Sequence, residues 1–219
     1  LPHPHHALNF LPHPHHALNF LPGAVDGFDT SSGCPNVANH SVAVRRALLA
    51  LRRRLPAAAL RAIPHNMRSC NDSLACQMRL KRRSAADMRR SRYCAVAAGD
   101  TPTTGRLYDA IACGCVPILL TDDVQLPFPA TAPLPLDGYG FRLAEADFMA
   151  DPLAAVRRIV DQPAHVWQHA QRRVMLARRR LSYRSKTSLV ATLALREAWA
   201  TCLKQNVSHA RHPSSVAKC

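Results

Sequence analysis

The stretch Ser91-Arg92-Tyr93-Cys94-Ala95-Val96-Ala97-Ala98-Gly99-Asp100-Thr101-Pro102-Thr103-Thr104-Gly105-Arg106-Leu107-Tyr108-Asp109-Ala110-Ile111-Ala112-Cys113-Gly114-Cys115-Val116-Pro117-Ile118-Leu119-Leu120 decides the fold. Tyr93 to Ala98 is a short apolar run closed by Gly-Asp, the pattern of a buried parallel strand. Thr101 can cap a helix, and Pro102 suits its first position. Leu107, Ala110 and Ile111 give that helix an inward face, and Gly114 suits the left-handed residue that ends it. Val116 to Thr121 is a second buried strand. The unit reads as strand, polar turn, helix, strand. It sets a helix N-terminus beside the carboxyl end of a parallel strand, where open α/β sheets bind nucleotides and phosphates.

Outward from this unit the chain is less explicit. Residues 1–10 recur identically as 11–20, with two prolines per copy. Proline blocks regular ladders, so a low-complexity leader is expected here. Its histidines (His3, His5, His6, His13, His15, His16) can collect a transition metal, although a biased tail is the commoner meaning. Residues 21–40 are rich in Gly, Ser, Asp and Pro and read as linker. From Ser41, Val44, Leu48, Leu51 and Leu55 recur at helical steps until Pro56, and a second short helix is expected to about Ile63. Pro64 to Asp72 is turn-like. Ser84-Ala85-Ala86-Asp87 resembles a capping box opening a brief helix to Ser91. Beyond the deciding unit, Leu126 to Pro135 is a proline-rich loop and Gly140–Ala144 a third strand. Helices are expected at about 150–161, 164–182 and 187–203. Their inward positions include Val156, Ile159, Val160, Val166, Ala170, Val174, Leu189, Leu193 and Trp199. Residues 41–205 form the folded unit, and 206–219 a frayed tail.

Composition narrows the partners. The 219 residues carry a formal charge of +15, with only 5% aromatics. An acidic partner follows: nucleic acid, an anionic surface or glycan, or a phosphorylated ligand. Nucleic acid is the weakest of these, because no aromatic stacking set or recognisable module accompanies the charge. Arginine runs such as Arg178-Arg179-Arg180 read first as solvated helix faces. No apolar run approaches the roughly 18 residues needed to span a bilayer. Among eight cysteines there is no CxxC pair, which argues against a zinc ribbon. Cys70 and Cys76 flank a short turn and can close a disulfide in an oxidising compartment. Cys94, Cys113 and Cys115 read as small buried hydrophobes. Asn71-Asp72-Ser73 and Asn206-Val207-Ser208 fit the glycosylation acceptor pattern.

The candidate chemistry lies around the polar turn. Unpaired N–H groups at a helix start suit a diphosphate, Gly99 allows close approach, and the Thr103 and Thr104 hydroxyls add donors. Arg106 can grip phosphate oxygen, and Asp109, three residues on, can accept from vicinal ribose hydroxyls. The bland alternative is an i,i+3 surface ion pair. Asp122-Asp123 resembles paired carboxylates that hold Mg2+ or Mn2+ near a diphosphate. A sugar-hydroxyl contact from one of them is the favoured alternative, because neighbours on an extended segment point opposite ways. No nucleophile elbow, Walker lysine loop or zinc-protease motif is present, and His65, His165 and His169 stand isolated.

Six blocks in order carry a resemblance. They are Met88–Cys94, Gly99–Thr103, Arg106–Ile111, Gly114–Ile118, Asp122-Asp123 and Leu126-Pro127-Phe128. Together they resemble the exostosin family of glycosyltransferases, and within it the plant and green-algal branch. The resemblance is strongest over 84–128 and weaker to about 183. It implies the Rossmann-like C-terminal lobe of a two-lobed GT-B fold binding a nucleotide sugar, usually a UDP-sugar. It implies that Gly99, Asp100 and Thr103 line the phosphate turn, that Arg106 faces the phosphates and that Asp109 holds the ribose. It further implies inverting transfer to a glycan acceptor. The base is expected in an N-terminal lobe, the location in the Golgi lumen, and a membrane anchor in full-length relatives. Two readings compete with transfer: a UDP- or glycan-binding fragment without catalysis, and a basic nucleic-acid-binding protein.

Overall fold

The computed structural model describes residues 16–20, 35–55, 60–62, 70, 73–99, 104–124, 126, 128 and 139–211. In chain order the elements are β1 (His16–Phe20), α1 (Pro35–Leu51), β2 (Leu60–Ala62), α2 (Leu74–Arg89), β3 (Ser91–Ala97) and α3 (Gly105–Cys113). They continue with β4 (Val116–Leu120), β5 (Phe141–Arg142), α4 (Glu145–Ala150), α5 (Pro152–Val160), α6 (Ala164–Leu181) and α7 (Val190–Arg211). The five strands form one sheet in the order β2-β1-β3-β4-β5, and every pairing is parallel. The class is α/β, as the deciding stretch required.

Parallel neighbours need crossover connections, and these are right-handed. The step from β1 to β2 runs one way along the sheet, while β2 to β3 and β3 to β4 run the other. That places α1 on one face and α2 with α3 on the opposite face. The packing agrees: α1 meets α4 and α5, whereas α3 meets α2 and α6. All of β4 is buried, and so is β3 except Arg92, as strands covered on both faces should be. Leu48, Leu107, Ala110, Ile118, Phe148 and Val174 join them in one core. Arg92 leaves the sheet to lie over the Trp167 ring at 5.3 Å, and Trp167 Nε1 donates to the Arg92 carbonyl at 3.2 Å. Those two contacts hold α6 against the start of β3.

Several expectations are corrected. The second copy of the N-terminal repeat is not wholly irregular, because its His16–Phe20 segment is an inner strand paired with both β2 and β3. The prolines of that copy, Pro12 and Pro14, precede the strand, so each ladder N–H within it is intact. Residues 1–15 lie outside the described set. A short helix near Ile63 is replaced by β2, whose Leu60 pairs with Leu18. The helix expected to open at Ser84 begins ten residues earlier, with the Ser73 hydroxyl accepting from the Cys76 N–H. Its buried residues are Ser84, Asp87 and Met88, so it has almost no apolar stripe for periodicity to find. Helix α3 starts at Gly105 with Thr104 as its cap, not at Pro102 behind Thr101. Trp199 is 66% exposed rather than inward, since α7 packs through Val190 and Leu193. Helix α4 was not foreseen, and α7 continues past 203 to Arg211.

The cysteines divide differently too. Cys70–Cys76 is bridged, as its spacing allowed. Cys94 and Cys115 are not lone hydrophobes but a second disulfide, tying β3 to the residue before β4. Cys113 stays a buried thiol.

Two stability predictions follow from this packing. Gly114 ends α3 at φ +77°, and an added Cβ would sit 3.0 Å from the Met175 sulfur. Gly114→Ala is therefore expected to cost about 1–2 kcal/mol, seen as a melting temperature several degrees lower; an unchanged melt would contradict the left-handed assignment. The Cys94–Cys115 bridge closes a segment with sequence separation 21. Replacing both residues with Ala is expected to cost about 3 kcal/mol, measured as a lower urea midpoint than that of the oxidised parent.

Candidate functional site

The strand order locates the site before any side chain is considered. In an open parallel sheet ordered 2-1-3-4-5, the connections leave the β1 and β3 carboxyl ends toward opposite faces. Ligands of such sheets bind at that switch point. On the β3 side it is reached at Ala98, which is buried, and Gly99, which is half-buried.

Thr104 closes the turn. It is buried and extended, with φ −130° and ψ 139°, and its Oγ1 accepts from the Arg106 N–H at 3.3 Å. The hydroxyl is therefore engaged in capping α3. Asp100 and Thr103, together with Thr101, lie outside the described residues. On the other side of the turn stands Arg45, a residue that motif reading passed over. It is 8% exposed and its Nη2 donates to the Ala98 carbonyl. The sequence held one faint signal for it: Arg45 lies three residues before Leu48, on the flank of the buried stripe formed by Val44, Leu48 and Leu51.

Arg106 and Asp109 lie next to the turn, along the flank of α3. Arg106 Nη1 is 3.3 Å from Asp109 Oδ2 and donates to Ser84 Oγ at 3.5 Å. Both line a cavity of about 500 Å³ between α2 and α3, whose floor includes Leu80, Met88 and Ala112. Lys81 and Arg89 add positive charge to its walls. Ser84, Lys81 and Arg89 could not be picked out beforehand, because α2 itself was only partly recognised. Cys113 completes the lining. Burial pushes its thiol up, the Arg89 charge opposes this, and the Asp109 carboxylate reinforces it. It is therefore a protonated, weakly polar wall rather than a nucleophile at neutral pH.

The cavity thus brings Arg106 and Asp109 together with Ser84, and its lining does not include Gly99 or Thr104. Asp122 and Asp123 follow β4 and take different roles. Asp122 Oδ1 accepts from the Glu145 N–H at 3.1 Å, and the Asp122 N–H donates to Glu145 Oε1 at 3.4 Å. This reciprocal pair secures the start of α4, much as a capping box does. Asp123 is exposed. Among the described residues no three His, Cys, Asp or Glu side chains gather as a metal would need. Asp122 Oδ1 is thus engaged at the start of α4.

Comparison with known proteins gives this geometry a family. The Exostosin GT47 domain matches residues 26–150, more than half of the chain and all of the β3–α3–β4 unit. The chain is 45% identical over 53 residues to a protein of Arabidopsis thaliana named Probable arabinosyltransferase ARAD1, covering 24% of this chain and 12% of that protein. It is 39% identical over 61 residues to a probable glucuronosyltransferase of Oryza sativa subsp. japonica, covering 28% and 14%. It is 36% identical over 61 residues to Probable beta-1,4-xylosyltransferase IRX10 of Arabidopsis thaliana, again covering 28% and 14%. The matched spans are thus a small part of each relative's length. A family match over more than half of the chain, spanning the whole β3–α3–β4 unit, gives the classification: the chain belongs to the Exostosin GT47 domain family.

Proposed function

We propose that this chain is the nucleotide-sugar-binding lobe of an inverting glycosyltransferase of the two-lobed GT-B type. The observation that carries the reading is the strand order, which sets Ala98, Gly99 and the start of α3 at the switch point between β1 and β3. A diphosphate at that point meets the positive end of α3 and the half-buried Gly99. The nucleoside then runs into the α2–α3 cavity, whose volume of about 500 Å³ accommodates it. There Arg106 reaches back to phosphate oxygen, and Asp109 takes the ribose hydroxyls. The Arg106–Asp109 pair does not preclude this, because a carboxylate has about four lone-pair sites. The relatives named as arabinosyl-, glucuronosyl- and xylosyltransferases support glycosyl transfer; the donor in this reading is a UDP-sugar and the acceptor a glycan.

In the proposed reaction an acceptor hydroxyl, deprotonated by a base outside the residues assigned here, attacks the anomeric carbon. The bond from that carbon to the diphosphate oxygen breaks, and UDP leaves with its electron pair. This lobe contributes fixed dipoles and guanidinium charge where negative charge develops. Its two disulfides suit the oxidising Golgi lumen. Among the described residues no helix is long and apolar enough to cross a membrane.

Calorimetric titration with UDP tests the reading. The native chain is expected to bind UDP, and Asp109→Ala to weaken binding roughly tenfold to a hundredfold, as loss of hydrogen bonds to a charged group should. Unchanged UDP affinity in a folded Asp109→Ala protein removes the ribose role. Absence of binding to the native chain removes the donor-lobe reading as a whole.

A further inference from the structure

Helix α6 and the turn after it carry a charge that the donor site does not use. Between Gln162 and Arg196 the chain has seven arginines, one lysine and no acidic residue. Helix α6 lies along the amino edge of the sheet: Trp167 bonds the Arg92 carbonyl at the start of β3, and Met175 sits against Gly114, just before β4. Ala170, Val174 and Ala177 face inward, and Arg172, Leu176 and Arg179 are exposed. The turn then adds Tyr183, 84% exposed, with exposed Arg184 and Lys186. Among the described residues no ion pair engages Arg172, Arg179, Arg184 or Lys186. A cationic last turn suits the negative end of a helix dipole, which accounts for Arg178, Arg179 and Arg180. It does not account for Arg172, Arg184 and Lys186, nor for the missing acids, because a merely solvated helix face mixes charges of both signs.

We propose that this basic face docks an acidic polysaccharide, a chain bearing single carboxylates on successive sugars. Arg172 and Arg179 stand two turns apart, about 10 Å along the helix. Charges spread in this way match a polymer of single charges rather than one compact anion. Arginine outnumbers lysine here, and its planar fork pairs with a carboxylate through two parallel hydrogen bonds. One Arg172 donor, Nε, is spent on the Gln168 carbonyl at 3.4 Å, out of the five a guanidinium carries. The Tyr183 ring offers an apolar face to a pyranose and a hydroxyl to its substituents. The two disulfides suit an oxidising compartment, where the polyanions met are glycans rather than nucleic acids. The face is separate from the donor site, since the length of β3, about 20 Å, lies between it and Gly99.

Binding of the full chain to sodium polygalacturonate at physiological ionic strength, measured by biolayer interferometry, provides the test. Fully methyl-esterified polygalacturonate serves as the uncharged counterpart. The native chain is expected to bind the acid form at least tenfold more tightly than the ester. The triple variant Arg172→Gln, Arg179→Gln, Arg184→Gln is expected to weaken that binding roughly tenfold, as loss of three exposed charge pairs should, and to leave UDP affinity unmoved. Arg184→Gln alone, outside any helix, is expected to weaken it about twofold and keeps the comparison open should the triple variant not fold. A second triple variant, Arg52→Gln, Arg53→Gln, Arg54→Gln, removes the same charge just after α1 and is expected to bind as the native chain does. Equal losses from the two triple variants mean attraction by net charge alone and overturn the inference. Equal binding of acid and ester forms overturns it as well, as does duplex DNA bound more tightly than the acid form at the same salt. A native chain that binds polygalacturonate but not UDP overturns the donor reading and supports this one.

Discussion

The parallel pairing of β3 with β4 constrains everything else in this molecule. Two parallel strands cannot be joined by a tight turn, so the chain must leave the end of β3, descend as a helix and re-enter the sheet beside where it began. Tyr93 opposite Val116 through Ala97 opposite Leu120 sets that register. Gly114 makes the return possible by ending α3 in the left-handed conformation. The Cys94–Cys115 bridge spans the same two strands. The ladder with β4 ends at Ala97, and Ala98 and Gly99 carry the chain past the carboxyl edge of the sheet.

Polar side chains rather than apolar surface position several of the elements around that turn. The Ser91 hydroxyl donates to the Asp87 carbonyl and joins α2 to β3. The Thr104 hydroxyl starts α3, the Asp122–Glu145 exchange starts α4, and Asp151 Oδ1 accepts from the Leu153 and Ala154 N–H groups to start α5. Each meets donors that a helix cannot satisfy internally. These caps set where a helix begins more sharply than hydrophobic burial can, since burial tolerates a shift of a residue or two. Placing Arg106 and Asp109 on the cavity wall therefore depends on Thr104, not Thr101, opening α3.

Legibility in the sequence followed the strength of the local signal. β3, α3 and β4 were readable because continuous apolar runs and a terminal glycine are local patterns. Helix α2 was readable only at its end, since Ser84 and Asp87 occupy its inward positions. The strand in the second repeat copy was hidden by prolines that lie outside it. In the site, Arg106 and Asp109 were legible as a pair because three residues is a helical step, although spacing alone said nothing of the α2 wall they face. Asp122 looked like a ligand because adjacent carboxylates often are. Its engagement with Glu145 depends on a helix twenty-three residues away.

The sequence by itself determined the α/β class and the parallel strand–helix–strand unit. These follow from backbone preferences and periodicity within a few tens of residues, and they need no distant partner. Tertiary structure alone decided the strand order, and with it the switch point between β1 and β3. It alone brought Arg45 to the Ala98 carbonyl across 53 positions, joined Cys94 to Cys115 and faced Arg106 toward Ser84. The physical reason is that crossover direction and long-range contacts depend on the whole sheet, whereas a local pattern carries no record of which strand will lie beside it.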